Sequence, residues 1–363
     1  MVNSHYIGVD LFAGAGGLSL GLSRAGFNMK LGIEIDSKSA LTLKKNHGGM
    51  SVVVSDVRFL DPIKTLNQAE IHPNELAILA GGPPCRGFSV SNRRSRSLDN
   101  PLNSLYKEFF RFIKALKPQI FLLENVVGLK TLAQGAVLHD ILNLGEKYGY
   151  TVCSTIVNSE DSGVPQRRKR LVIIGTKHGH VQHLEMKKRT VTVREAIEDL
   201  PILQNGNKTD LMEYSKQNNL SEYQKMMRKT SMHIVPNNFV TKNSDLVVER
   251  YKHIPPGGNW KSIPTELMGN YTNTKNCHGW IYYRLKWDEP SIVISNFRKN
   301  MLIHPEQNRG LSVREAARLQ SFPDSFSFFG ALGSQQQQIA NAVPPLLAEE
   351  IGKNLLTMLE EGR

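Results

Sequence analysis

Short apolar runs rich in β-branched residues alternate, along the first half of the chain, with stretches whose apolar residues recur every three or four positions. The runs at 6–9, 29–33, 51–54, 76–80, 120–123, 152–157 and 171–174 predict strands. The stretches at 18–24, 37–46 and 103–116 predict helices, the last from Leu105, Phe109, Phe112, Ile113 and Leu116 on one face. Ser37 stands where it would cap the second helix, and Pro118 stops the third. This alternation predicts an α/β fold, a mostly parallel sheet with helices on both faces. The pattern breaks after Gly175. From 178 to about 276 the chain is polar, and Pro255-Pro256-Gly257-Gly258-Asn259 reads as a turn. Gln335 to Gln338 reads as a polar linker or helix start, and helical periodicity returns at 344–359. The chain is therefore expected to form one domain from 1–176 with 335–363, and a smaller irregular domain from 177–334.

Composition narrows the partners. Among 363 residues Lys plus Arg number 45 and Asp plus Glu 33, a net charge of +12. Such an excess favours a polyanionic partner, nucleic acid before membrane. The three cysteines, Cys85, Cys153 and Cys277, form no CxxC pair, which argues for reducing conditions and against a disulfide framework or a metal site. The first residues carry no signal-peptide pattern and no apolar run approaches bilayer length, so a cytoplasmic protein is expected.

Two groups of residues carry candidate chemistry. In the first, Asp10-Leu11-Phe12-Ala13-Gly14-Ala15-Gly16-Gly17 closes the first strand and opens a helix, where backbone N–H groups are available to a ligand. Gly14 and Gly16 fit a nicotinamide fingerprint, but Ser19 occupies its third glycine position. Glu34 ends the second strand at about the spacing of a ribose-binding carboxylate, and Asp56 follows the third. Either one alone suits a cap or a turn; together they favour an adenosine-containing cofactor. In the second group, Gly81-Gly82-Pro83-Pro84-Cys85-Arg86-Gly87-Phe88-Ser89 follows the fourth strand, and Glu124-Asn125-Val126 ends the fifth. Ligands of open α/β sheets bind at the carboxyl ends of the strands, so a thiol and a carboxyl group are expected on one rim. That pairing suits covalent attack on an electron-poor ring with an acid to protonate it.

The ordered series of motifs resembles the DNA (cytosine-5-)methyltransferases of bacterial restriction–modification systems. It runs through Asp10-Leu11-Phe12-Ala13-Gly14, Glu34, Asp56, Pro83-Pro84-Cys85, Glu124-Asn125-Val126, Gln166-Arg167-Arg168-Lys169-Arg170, Arg314 to Asp324, and Asn341-Ala342-Val343-Pro344-Pro345. The resemblance implies a Rossmann-like catalytic domain binding S-adenosylmethionine, with S-adenosylhomocysteine as product and no metal. It implies a target-recognition domain at 177–334, with DNA in the cleft between the two. Cys85 is implied to add to carbon-6 of a flipped-out cytosine. Glu124 is implied to protonate ring nitrogen 3, which needs a raised pKa. Arg168 and Arg170, alternating on a strand approach, are implied to hold the base and its backbone. Asn125 is expected to hold the turn. Phe12, Gly14, Gly17, Glu34, Asp56, Val57, Pro84, Leu105 and Asn341 are implied to surround the cofactor, with simple helix packing an open alternative for Leu105.

Residues 87–103 suit a loop that closes over the flipped base, with Ser89, Arg93, Arg94 and Arg96 as DNA contacts. Base reading is expected from 177–293, whose Trp260, Tyr271, Trp280 and Tyr282 suit groove contacts. Duplex DNA is the expected substrate, with a monomeric enzyme and a possible cognate endonuclease. Two residues depart from the family pattern: Arg86 stands where glutamine is usual and Ala340 where glycine is usual. The same catalyst acting on transfer RNA, a catalytically silent DNA-binding module and, more distantly, a nicotinamide oxidoreductase are the competing readings.

Overall fold

A computed structural model describes residues 6–84, 104–177, 179, 181, 184–228, 233–269, 271, 278–299 and 301–362. The chain divides into two compact units: Met1–Ser162, Arg168–Lys188 and Val343–Arg363 form unit 1, and Gly163–Arg167 with Arg189–Ala342 form unit 2. Packing thus groups 177–188 with unit 1 and 335–342 with unit 2, whereas the hydropathy break draws the boundaries at 177 and 334.

Unit 1 is built on seven strands, β1 (Ile7–Leu11), β2 (Asn28–Glu34), β3 (Ser51–Val54), β4 (Leu76–Gly81), β5 (Ile120–Asn125), β6 (Thr151–Asn158) and β7 (Lys169–Thr176), in the order β3-β2-β1-β4-β5-β7-β6. All neighbours from β3 to β5 are parallel. β7 runs antiparallel to both β5 and β6, because the short link after Asn158 holds no crossover helix. The helices between strands are α1 (Gly17–Ala25), α2 (Ser37–Asn46), α3 (Pro62–Gln68), α4 (Leu105–Leu116) and α5 (Ala136–Lys147).

β1 shows how the sheet serves two faces. Val9 and Leu11 join the cluster that includes Phe109, Phe112, Phe121 and Ile173, while the intervening Asp10 meets Ser19 of α1 on the other face. Within that cluster Phe121 packs edge-on against Phe110 at 5.5 Å and Tyr150 at 5.1 Å. Each such buried ring is worth about 2–3 kcal/mol of transfer free energy. Asp36, rather than the expected Ser37, caps α2: its carboxylate accepts from the Ser39 N–H at 2.9 Å.

Unit 2 holds α6 (Val193–Ile197), β8 (Met212–Glu213) paired with β9 (Ile234–Val235), α7 (Glu222–Arg228), α8 (Asp245–Lys252), α9 (Val313–Leu319) and α10 (Leu332–Asn341). Its interior is unusually ionic. Arg318, fully buried, donates from Nε and Nη2 to Asp324 at 2.6 Å each and reaches Asp199 at 3.2 Å. Arg309 forks onto Glu315 at 2.8 and 2.6 Å, and that pairing holds the Glu315 pKa down at about 2. The glutamine run is no linker. Gln335, Gln336 and Gln338 are buried on α10 and donate to Gly330 O, Thr241 Oγ1 and Phe329 O. Tyr282 is likewise not available to a groove. It is fully buried in a core with Tyr251, Ile254 and Ile303, against which Tyr271 and Trp260 pack. Among the four aromatics expected to meet DNA, Trp280 is the exposed one, at 52%.

The chain then returns to unit 1 through α11 (Pro345–Glu361), which packs along α1. A side chain on Gly21 would collide with Ala348 Cβ and the Pro345 carbonyl, so the close approach of these helices requires glycine there.

Candidate active site

The carboxyl ends of β1 to β5 share one rim. At β1 the chain turns through Phe12 (φ 64°), Gly14 (φ 57°) and Gly16 (φ 98°) into α1. A Cβ on Gly16 would strike His47, whose Nε2 lies 3.1 Å from the Gly16 carbonyl oxygen and donates to it. Burial pushes the His47 pKa down to about 4, so the ring stays neutral as that donor. Above Gly14 the space is open: a Cβ there would meet nothing within 4 Å.

Glu34 ends β2. Its carboxylate accepts from the Gly14 N–H at 2.7 Å and the Asp36 N–H at 2.8 Å, bracing the glycine turn; burial pushes its pKa up. Beside it Ile35 is 64% exposed. Asp56, after β3, caps the turn Val57–Phe59, and both its oxygens are gripped by Arg58 Nε at 3.0 Å, an attachment that keeps its pKa low. Val57 and Leu105 are both buried in the main core cluster, Leu105 at the start of α4. Beneath the turn, Asp10 is fully enclosed. Ser19 Oγ donates to its Oδ2 at 2.5 Å, its Oδ1 has no hydrogen-bond partner among the described residues, and burial raises its pKa to about 7.

An adenosyl group needs acceptors for its hydroxyls, an apolar surface for its ring and an acceptor for its amino group. Glu34, Ile35 with half-buried Phe12, and Asp56 offer these in sequence along the rim, next to backbone left open at Gly14. The residues therefore fit an adenosine-bearing cofactor.

The second half of the rim lies at β4, β5 and β7. Glu124 pairs with Val172 and Asn125 with Leu171. Because β7 is reversed, its first residues arrive at the carboxyl end of β5. Arg170, two positions from Val172, falls diagonally across from Glu124 on the same face. Its Nε stands 2.7 Å from Glu124 Oε1, with both side chains largely buried. Arg168 is fully buried, and burial followed by repulsion from Arg170 pushes its pKa down, with Glu124 offsetting part. Arg170 is thus ion-paired with Glu124, and Arg168 lies near enough to feel the charge of both. A Cβ on Gly82 would come within 3.3 Å of Glu124 Oε2, which puts the turn after β4 against the carboxyl group. Asn125 is buried and donates to the Pro83 carbonyl oxygen at 3.1 Å. Pro84 is half-buried at the end of this turn. Cys85, Ser89, Arg93, Arg94 and Arg96 lie outside the described residues. Asn341 belongs to unit 2, exposed at the end of α10, where its Oδ1 accepts from Gln337 at 2.7 Å.

Sequence reasoning missed several members of this arrangement. Asp10 and Ser19 become a pair only when strand and helix pack. His47 carries no motif, and Ile35 reads as an ordinary residue after a strand.

A glycine turn, two strand-end acids and the Arg170-paired Glu124 carboxylate thus lie along one rim of a Rossmann-like α/β sheet. Residues 6–357 match the family model for the C-5 cytosine-specific DNA methylases, and the chain belongs to that family. Its activity is transfer of a methyl group from S-adenosylmethionine to carbon-5 of cytosine in DNA. The chain is 35% identical to Type II methyltransferase M1.HphI of Haemophilus parahaemolyticus, over 96% of this chain and 86% of that one. It is 34% identical to Type II methyltransferase M.Sau96I of Staphylococcus aureus, over 99% and 77%. Among solved structures it is similar to a DNA modification methyltransferase encoded within a prophage of Escherichia coli, with TM-score 0.80, 28% identity and coverage of 98% and 99%. No helix among the described residues is long and apolar enough to cross a membrane.

Proposed function

We propose that this chain is the methyltransferase of a restriction–modification pair, acting on one cytosine within a short duplex sequence through a covalent adduct at Cys85. The observation that carries this reading is the Glu124–Arg170 pair beside Arg168, joined through Asn125 to the turn that runs into Cys85.

In this reading the target base enters between the turn after β4 and the start of β7. Arg168 and Arg170 supply fixed donors for its polar edge and phosphate. Glu124 holds ring nitrogen 3 and delivers a proton to it. That makes carbon-6 electrophilic, the Cys85 thiolate adds there, and the ring becomes nucleophilic at carbon-5. S-adenosylmethionine, when bound, supplies a methyl group activated on a sulfonium. After methylation carbon-5 loses its proton to water, the thiolate is expelled, nitrogen 3 returns its proton to Glu124 and aromaticity is restored. Phe12, Gly14, Gly17, Glu34, Asp56, Val57, Pro84 and Leu105 are the residues of unit 1 that hold the cofactor. Asp56 shares its carboxylate between Arg58 and the adenine amino group. No step requires a metal. Ser89, Arg93, Arg94 and Arg96 contact the DNA backbone. Residues 177–293 read bases, with exposed Trp280 as the first candidate. The protein works as a monomer in the cytoplasm, and an endonuclease of the same specificity is its partner in the cell.

The test is transfer of labelled methyl groups to duplex DNA of mixed sequence and to transfer RNA, with modified positions mapped. Label on carbon-5 of cytosine within one short DNA motif supports the reading, and label on RNA alone refutes it.

A further inference from the structure

The turn carrying Asp56 and Val57 is only three helical residues long, and two of them, Arg58 and Phe59, are exposed, Phe59 at 83%. Val57 anchors it in the core cluster, and its other two residues add little packing. A side chain from a distant helix also bridges it. Arg111 of α4 donates from Nη2 to the Val57 carbonyl oxygen at 2.8 Å and from Nη1 to the Leu60 carbonyl oxygen at 2.9 Å, spanning the turn from its first residue to the one just past its end. Its third donor, Nε, is held by Glu108 Oε2 at 2.7 Å, one turn earlier on the same helix. The guanidinium plane also lies 5.1 Å from the Phe112 ring centroid.

We infer that Arg111 is a positioning residue for the adenine end of the cofactor, acting through the turn that bears Asp56 and Val57. The inference rests on the reading above, in which that turn faces the cofactor. An arginine suits the task because its planar fork bonds two carbonyls at once in fixed geometry, whereas a lysine would satisfy them one at a time. The arrangement extends to the carboxylate itself. Arg58, which grips Asp56, is also attracted by Glu108. Glu108 and Arg111 thus bracket the turn, one through the guanidinium on Asp56 and the other through the backbone. Because α4 also begins with Leu105, the same pair sets the register between two of the elements proposed to line the adenine pocket.

The experiment is calorimetric binding of S-adenosylhomocysteine, and of its analogue with hydrogen in place of the adenine 6-amino group, to the native chain and to Arg111→Ala, Arg111→Lys and Asp56→Asn. The native chain is expected to bind the analogue about tenfold more weakly, the scale of one well-placed hydrogen bond. Arg111→Ala is expected to bind S-adenosylhomocysteine about tenfold more weakly and to lose most of that discrimination, with kcat at saturating cofactor within about threefold of native. Arg111→Lys should fall between. If Arg111→Ala does not fold, Arg111→Lys and Glu108→Gln carry the same comparison. Equal weakening of both ligands, with the ratio unchanged, would mean a structural role alone and overturn the inference. So would native affinity in the Arg111 variants while Asp56→Asn is impaired. If Asp56→Asn and the analogue both behave as native, the turn does not face adenine, and the underlying reading falls with the inference.

Discussion

Asn125 donates its side-chain amide to the carbonyl oxygen of Pro83 at 3.1 Å, while its Oδ1 accepts from the Val126 N–H at 2.9 Å. One buried amide thereby ties the residue after Glu124 to a residue two positions before Cys85. Replacing it with alanine leaves the Pro83 carbonyl and the Val126 N–H without these partners, a cost of roughly 1–3 kcal/mol. Asn125→Ala is expected to unfold at lower temperature and to lose kcat more than cofactor affinity. Thermal unfolding and steady-state kinetics, run side by side, check both parts.

The diagonal pair of Glu124 and Arg170 is the second test. Glu124→Gln keeps the shape but cannot deliver the proton, and turnover should fall by about 10²–10⁴. Arg170→Lys keeps the charge and loses the planar Nε donor. If the two residues act as a unit, the double variant should be little worse than Glu124→Gln alone. A near-native rate for Glu124→Gln would remove it from the chemistry.

Cys85→Ala should transfer no methyl group and form no denaturant-resistant protein–DNA adduct, while retaining DNA affinity within a few-fold. Gel-shift titration and adduct assays separate these outcomes. Residual methylation above background would mean that the reaction does not pass through the thiol.

Asp10 makes a prediction about pH. Its carboxyl titrates near 7 in the folded protein against an ordinary 3.8. Folding therefore takes up a proton between those values. The stabilisation is complete below about 4, declines as pH rises, and is gone above about 7. His47, neutral when folded down to about 4 against an ordinary 6.5, acts oppositely, and its contribution is lost as pH falls through that window. The two slopes offset one another in the native chain. Asp10→Asn should unmask the histidine slope, so that stability rises more steeply with pH between about 4 and 7. The change relative to native is on the order of 2–4 kcal/mol across the window. Denaturant midpoints measured across that range decide it, and parallel curves for the two proteins would show that Asp10 titrates normally.

The strands of unit 1 and the acids at their ends were legible because burial and alternation leave a direct trace in hydropathy. Direction is different. Nothing within 169–176 marks β7 as reversed; only the short link after Asn158 carries that information. α3 and α5 were missed, the first because it is short and begins with Pro62, the second because its apolar residues are interrupted by polar ones. In unit 2 a polar sequence misled: Arg309, Arg314, Arg318 and the three glutamines are interior, each bonded to specific partners that no periodicity reveals. Tyr282 misled in the same way, since an aromatic with a hydroxyl suits a core or a groove equally.

The contact between Gly21 and Ala348 has a consequence for the order of folding. α1, the helix that receives the glycine turn, is covered by α11, and the whole of α6 to α10 is synthesised between them. Closing so long a loop is slow. During synthesis, the nascent glycine turn lacks its backing helix until the residues of unit 2 have left the ribosome. The clasp between these helices therefore leaves the strand-end rim of unit 1 unfinished until the whole of unit 2 has been synthesised.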